Sequence, residues 1–381
     1  MDLAWLWCVS VCFCAIAGIT LLFKRSSTFP GKRLLVLKPD SIGDYILFRN
    51  FLAVLRQSEK YRGYEITLCG NSVYSEFAIH FDHESVDKFI WIDKKRIYHD
   101  LHYYIRLAYL LKQQYEVTIH AIRSREMIFD YLAKISSSFE RIGYMGDTVN
   151  IPGLYKRITD RWYTRLISSG DDYYFEFSAN KQFFETILGI RVSFARPFLE
   201  AERFRDVNLP GLPGHFVAVF PGAQLPFRRW STSNFSAVVQ HVRKKCNIGI
   251  VIIGSKADQS LACEIIIKSG IGVVDLTGQS GLIQLPGIIS KACLLIANDT
   301  MAVHFGAALN IPTIVISQLN HYGRFVPYPP EIMDKMVCAI PDIYEKQEAN
   351  TLIEKFKKGS DVDIDLVSVE QVTSAIDRLL L

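Results

Sequence analysis

Five stretches of the chain place ionisable or anion-binding groups where an apolar run stops. In KPDSIGDYILFRN (38–50), Asp40, Ser41 and Asp44 fall within five positions at the end of a strand-like run. Asp44 opens the helical run that follows. It reads either as a helix cap or as a carboxylate that takes a proton from an incoming hydroxyl. PGAQLPFRRWSTSNF (221–235) leaves a buried run through the small-residue loop Pro221-Gly222-Ala223, then supplies Arg228 and Arg229 and serines able to cap a helix. A backbone-exposing loop, two guanidiniums and a helix start suit a phosphate or diphosphate; the bland alternative is a solvated basic turn. In VIIGSKADQSLA (251–262), Asp258 follows Gly254 near a helix start, as a cap or as an acceptor for ribose hydroxyls. In LLIANDTMAVHFGAALNIPTIVI (294–316), Asp299 and Thr300 separate a strand from a helix. The free N–H groups of Thr300, Met301 and Ala302 there favour an anion. His304, on the first turn, either donates to that anion or is packed away. In SQLNHYGRFVPYPP (317–330), Tyr322, Phe325 and Tyr328 flank Arg324, a surface loop or a stacking wall for a base or sugar. HAIRSRE (120–126) adds Arg123 and Arg125 after a strand end, placed to hold an anionic acceptor such as a phosphorylated glycan.

Some chemistries are excluded. The chain has neither G-x-x-x-x-G-K-[ST] nor a full G-x-G-x-x-G, so neither glycine-rich phosphate loop is present. No C-x-x-C pair or Cys/His spacing suggests zinc, and the eight cysteines read as reduced, as in a cytosolic compartment. With a net charge of +4 and no basic run interleaved with stacking aromatics, the chain does not read as a nucleic-acid binder.

The elements that must hold these groups alternate. Strands are expected at 33–38, 65–69, 88–92 and 116–121, with helices at 45–57, 72–81, 99–113 and 127–134; periodicity fades over 147–172. After a Pro/Gly-rich linker at 197–214 the alternation resumes. Strands are expected at 216–220, 248–253, 273–276, 294–297 and 313–316, with helices between them and a last helix at 367–381. Val/Ile/Leu-rich strands alternating with helices imply an α/β fold: parallel sheets in two doubly wound, Rossmann-like domains facing each other across a cleft, with ligands at the carboxyl ends of strands. Length agrees, since 381 residues suggest two domains. Ahead of them, residues 3–23 carry no charge, enough to cross a bilayer as a helix. Lys24 and Arg25 follow, so the positive-inside rule puts the globular mass in the cytoplasm. A cleaved signal peptide is the rival, with Ala15-Ile16-Ala17 as its site. The expected organisation is a membrane anchor at 1–25, an N-terminal domain at 31–205, a C-terminal domain at 215–350 and a helical extension at 351–381.

SIGDYILFRNFLAVLR, PGAQLPFRRWSTSNF and ANDTMAVHFGAALNIPTIV, taken in order, resemble the heptosyltransferase family of inverting glycosyltransferases (glycosyltransferase family 9). The resemblance covers most of 33–330. It implies the two-domain GT-B fold, no metal or other cofactor, a nucleotide-diphosphate sugar (ADP-sugar favoured) on the C-terminal domain and an acceptor on the N-terminal one. Residue by residue it implies Asp44 as catalytic base and Arg228 or Arg229 on the donor phosphates. Gly222 lies in the donor loop, and Asp258 falls at the ribose. Asp299 lies near the donor sugar, Thr300 and the helix start meet the diphosphate, and His304 stands on that helix. Met301 stands where the family commonly has Gly. The implied activity is transfer of a sugar, possibly heptose, to a lipid-linked glycan of lipopolysaccharide type. The location is the inner (cytoplasmic) membrane, with a single-pass anchor. A nucleotide-sugar epimerase of the same fold and an inactive glycan- or partner-binding protein are the alternatives.

Overall fold

The computed structural model describes residues 3–22, 31–168, 175–204 and 211–380. Asp2, Lys24 and Arg25, on which the orientation reading rests, lie outside these residues, as do 205–210 of the expected linker and 169–172 of the weakly periodic stretch. The chain divides into two compact units, residues 1–174 with 178–193 and residues 175–177 with 194–381.

The first unit contains α1 (Leu3–Leu21), β1 (Arg33–Lys38), α2 (Ile42–Ile46), α3 (Asn50–Gln57), β2 (Glu65–Asn71), α4 (Ser75–Asp82) and β3 (Lys88–Ile92). It continues through α5 (Leu101–Leu111), β4 (Tyr115–His120), α6 (Met127–Ser136), β5 (Ser137–Tyr144), α7 (Gly153–Asp160) and β6 (Arg165–Ile167), and α8 (Glu176–Leu188) begins in the second unit and enters the first. Its sheet runs β3-β2-β1-β4-β5-β6 with every pairing parallel. The central strand RLLVLK is buried on both faces from Leu34 to Lys38, as a sheet covered by helices requires. The single helix expected at 45–57 is two, α2 and α3, because 47–49 make turn-type bonds such as Phe51 N to Phe48 O. At that bend buried Arg49 pairs with Asp82 at 2.7 Å, and the Tyr45 hydroxyl donates to the same carboxylate at 2.6 Å.

The second unit contains β7 (Phe216–Phe220), α9 (Thr232–Cys246), β8 (Gly249–Ile252), α10 (Gln259–Ser269), β9 (Val274–Asp275), α11 (Leu285–Ile289) and β10 (Leu294–Asn298). After them come α12 (Met301–Ala308), β11 (Thr313–Ile316), β12 (Met336–Ala339), α13 (Ala349–Phe356) and α14 (Val369–Leu380). Its sheet, β12-β11-β10-β7-β8-β9, is also wholly parallel and repeats the strand order of the first.

Three boundaries differ from expectation. The division falls after Ser193, because 194–204 already pack on the second unit: Leu199 N donates to Ala308 O at 3.0 Å and Phe204 is buried. The 351–381 extension is integral, since Val372, Ala375 and Ile376 share one core with Trp230, Phe235 and Val239. At the other end α1 joins the core of the first unit, burying Cys14, Ala17 and Leu21 against residues of α5 and α6 such as Tyr104, Leu107 and Leu132.

Candidate functional site

In each sheet the strand order reverses beside its first strand, between β1 and β4 and between β7 and β10. The carboxyl ends at such a reversal are where doubly wound sheets bind ligands. Four of the polar stretches leave from those strands, at 38–50, 120–126, 221–235 and 298–304; those at 251–262 and 317–330 leave from the neighbouring β8 and β11.

In the second unit, Asn298 ends β10 and holds two loops. Its amide donates to Pro221 O at 2.8 Å and its Oδ1 accepts from Trp230 N at 3.2 Å, so one buried side chain fixes both ends of the segment from Pro221 to Trp230. Trp230 is itself buried, its indole donating to Val367 O at 3.0 Å. Arg228 is thereby brought to Asp299: one guanidinium nitrogen lies 3.0 Å from the Asp299 carbonyl and 3.2 Å from its carboxylate. Burial pushes the Asp299 carboxyl above its usual range, against the opposing pull of Arg228 and, behind it, His321. Arg229 Nε donates to Ala223 O at 2.8 Å, which closes the loop on itself.

Thr300 caps α12 with an extended backbone, yet its side chain makes no capping bond. Its hydroxyl is buried without a partner, at the start of a helix whose first amides point the same way. An orphaned hydroxyl at a positive helix end is a ready contact for an anionic oxygen. Met301 follows, half-buried at N1.

Two expected donor contacts are corrected. His304 is buried, with Nδ1 2.8 Å from the Tyr328 hydroxyl, and desolvation lowers its pKa to about 4. At neutral pH it is an uncharged packed residue and adds no positive charge to the site. Asp258 is also buried, and one carboxylate oxygen accepts from Ser255 N at 2.8 Å and Ser255 Oγ at 2.7 Å. It closes the capping box of the 3-10 turn Lys256–Asp258, whose N-cap is Ser255, which commits that oxygen there rather than to a ribose. It also explains Gly222, because a Cβ at that position would stand 2.5 Å from the Asp258 carboxyl carbon. The 317–330 loop departs from its reading as surface: Tyr322, Arg324 and Tyr328 are buried, and Arg324 pairs with buried Glu176 at 3.0 Å. Phe325 remains half-buried, 6.4 Å from the His304 ring.

In the first unit, Ser41 and Asp44 form a capping box on α2, with Ser41 N donating to Asp44 at 3.3 Å. Asp44 keeps part of its surface exposed, so capping and proton transfer are compatible. Lys38, fully buried, pairs with Asp40 at 2.9 Å and donates to Ala121 O at 2.9 Å, tying the ends of β1 and β4 together. The other oxygen of Asp40 is buried and unpartnered. Lys94 pairs with Glu126 at 2.7 Å. Burial opposes its charge, but Glu126 and, further off, Asp40 and Asp44 outweigh that. Lys94 and Glu126 thus form an ion pair whose cation the Asp40 and Asp44 charges also favour. In the sequence Lys94-Lys95-Arg96 looks like a solvated cluster, and nothing there marks Glu126 as its partner. Arg125 is corrected: it is fully buried, bonded to Asp160 and to Met145 O (3.2 Å), 3.4 Å from Asp130, and stacked 4.8 Å over the Tyr163 ring. It is structural and out of an acceptor's reach. Arg123 is buried as well. Among the described residues no group of three or more His, Cys, Asp or Glu is arranged to hold a metal ion.

Residues 184–352 match the profile of glycosyltransferase family 9 (heptosyltransferase). The first of the three resembling stretches lies outside that match, and the other two lie within it. Lipopolysaccharide heptosyltransferase 3 of Escherichia coli (strain K12) is 25% identical over 179 residues, 46% of this chain and 49% of that protein. Lipooligosaccharide heptosyltransferase 2 of Haemophilus ducreyi (strain 35000HP / ATCC 700724) is 29% identical over 129 residues, 32% of this chain and 35% of that protein. The chain thus spans about half the length or less of the curated relatives it matches. Among solved structures, a glycosyl transferase family 9 protein from Veillonella parvula DSM 2008 superposes with a TM-score of 0.70 at 19% identity, covering 93% of this chain and 99% of that one. The E. coli heptosyltransferase WaaC with ADP superposes at 0.66 and 14% identity, covering 91% and 99%. At such identities the structures establish the GT-B-like fold.

Proposed function

We propose that this chain, a GT-B-like protein whose residues 184–352 match glycosyltransferase family 9, is an inverting, metal-independent glycosyltransferase. It moves a sugar, heptose by preference, from an ADP-sugar to a lipid-linked glycan of lipopolysaccharide type. It works at the cytoplasmic face of the inner membrane, where its N-terminal helix holds it. One similar solved structure is E. coli heptosyltransferase WaaC with ADP-2-deoxy-2-fluoro heptose, which supports that choice of donor.

The observation that carries this reading is the buried, unpartnered Thr300 hydroxyl at the head of α12, beside Arg228. In the proposed reaction the acceptor oxygen attacks the anomeric carbon as the bond to the diphosphate breaks. Asp44 takes the acceptor proton. The leaving diphosphate gains negative charge, which Arg228, Arg229 and the α12 amides neutralise, with the Thr300 hydroxyl donating to one oxygen. With His304 neutral, that charge falls on the guanidiniums and the helix start.

Thr300→Val tests the reading, because the hydroxyl costs the free protein and benefits only the complex. Melting should be unchanged or slightly raised, while ADP affinity falls about five- to tenfold. Unchanged ADP affinity, or no ADP binding by the parent in calorimetry against GDP and UDP, refutes it. A panel of nucleotide sugars scored for transfer then identifies the sugar, and added chelator should leave the rate unchanged.

A further inference from the structure

α1 is long and apolar enough to cross a membrane, but it is packed lengthwise on the first unit. Trp5 packs against His99 with ring centroids 4.9 Å apart and planes tilted by 31°, the Trp7 indole donates to Asn150 O at 3.1 Å, and Cys14 lies 3.5 Å from the Tyr104 hydroxyl. At its last turn the Lys112 ammonium caps the Leu21 carbonyl. These contacts span the whole helix. A bilayer crossed by α1 in this position would also have to take in α5, with Asp100 and exposed Arg106 on its flank.

The outward face of α1 is apolar, with Ile16 41% and Ile19 63% exposed, and Leu22 just past its end is 78% exposed. The exposed Thr20 hydroxyl on that face is already paired, donating to Ile16 O at 2.9 Å. A protein partner's interface would carry about one hydrogen bond per 100–200 Å²; hydrocarbon asks for none. Beyond Asn150, α7 exposes Leu154 and Ile158 one turn apart, with Arg157 exposed between them. Apolar side chains interleaved with cations on a surface helix match an anionic lipid interface.

We propose that α1 stays docked on the first unit and lies in the plane of an anionic bilayer's surface, its outer face in the acyl boundary and α7 beside it. It does not cross the membrane once, as the uncharged run alone suggests. This rests on the membrane part of the function proposed above and is independent of the transferase part.

The test uses the full chain. An Asp2→Cys variant is expressed in bacterial cells, and intact spheroplasts are treated with a membrane-impermeant maleimide, the parent serving as control. The residue-2 label should appear only after lysis, while the protein still sediments with membranes; labelling of intact spheroplasts means a crossing helix and overturns the proposal. In parallel, the purified chain is mixed with vesicles of phosphatidylcholine alone or with phosphatidylglycerol. Binding should be at least tenfold stronger to the anionic vesicles and lost in I16E/I19E, with ADP binding unchanged. Equal binding to both vesicles, binding to neither, or a dimer in solution that I16E/I19E dissolves, overturns it. Loss of ADP binding in the parent refutes the transferase reading alone.

Discussion

The Arg228–Asp299 contact allows a sharp perturbation, Arg228→Met. Removing one partner of a buried ion pair costs about 3–5 kcal/mol. Here the side chains keep 27% and 10% exposure, so water relaxes part of that, and about 2 kcal/mol is expected. For a domain of this size that is a fall in melting temperature of about 4–8 °C. The loss should depend on pH. Burial raises the Asp299 carboxyl above its reference value of 3.8, and Arg228 is the main group opposing the rise. A carboxyl raised in the folded state binds its proton more tightly there than in the unfolded chain. Its destabilising effect is absent below the unfolded value, grows as pH climbs to the folded value, and is constant above. Arg228→Met extends that window upward, so its penalty should be largest at pH 8 and shrink toward pH 4. Asp299→Asn in the same background removes the buried charge and should restore most of the stability. ADP affinity should fall about 10- to 150-fold for the lost charge-assisted bond, and Asp299→Asn should not restore it. Scanning calorimetry from pH 4 to 8 and ADP titration measure both. A penalty that does not change with pH, or a double variant no more stable than Arg228→Met, refutes the account of the pair.

Asp44→Asn should leave ADP binding nearly intact and lower turnover about a hundredfold or more; full transfer activity would assign the proton to another group. His304, held down to about 4 by burial, contributes stability that is complete above its reference value of 6.5 and lost as pH falls toward 4. Replacing it with Gln should flatten that acid-side decline by up to about 3 kcal/mol, read from melting against pH. Gly222→Ala would drive a methyl into the Asp258 carboxylate, at 2.5 Å. It should cost about 1–3 kcal/mol and weaken ADP binding through the displaced loop, whereas a wild-type melting curve would mean that the loop yields freely.

What the sequence made legible was the strand-and-polar-break pattern. Runs such as RLLVLK and FVAVF are buried on both faces, so their hydrophobicity alone marks them, and the breaks after β1, β7 and β10 stand where expected. Elements without such runs were missed. SSFERIGY pairs as β5 although it carries charge, and Arg165–Ile167 is a three-residue edge strand. Both form because neighbours in space complete their hydrogen bonding, which periodicity does not record. The same limit applies to charge. Arg123 and Arg125 follow a strand end like true site residues, and only the fold shows that Asp130 and Asp160 hold Arg125.

The unequal fates of the acidic residues have one physical source. A carboxylate one step past a strand can cap a helix, pair with a cation or face solvent, and sequence spacing suits all three. Asp258 has its oxygen within reach of two Ser255 donors and is closed off. Asp299 pairs with Arg228, a cation that a diphosphate would also attract, so its pairing in the free protein is of a kind that ligand binding can exchange. Asp44 accepts from Ser41 N at 3.3 Å and keeps solvent access, which leaves it able to accept a proton. Capping and chemistry at these positions therefore differ by which partners and how much solvent the surrounding fold leaves to each carboxylate, which depends on residues far away in the chain.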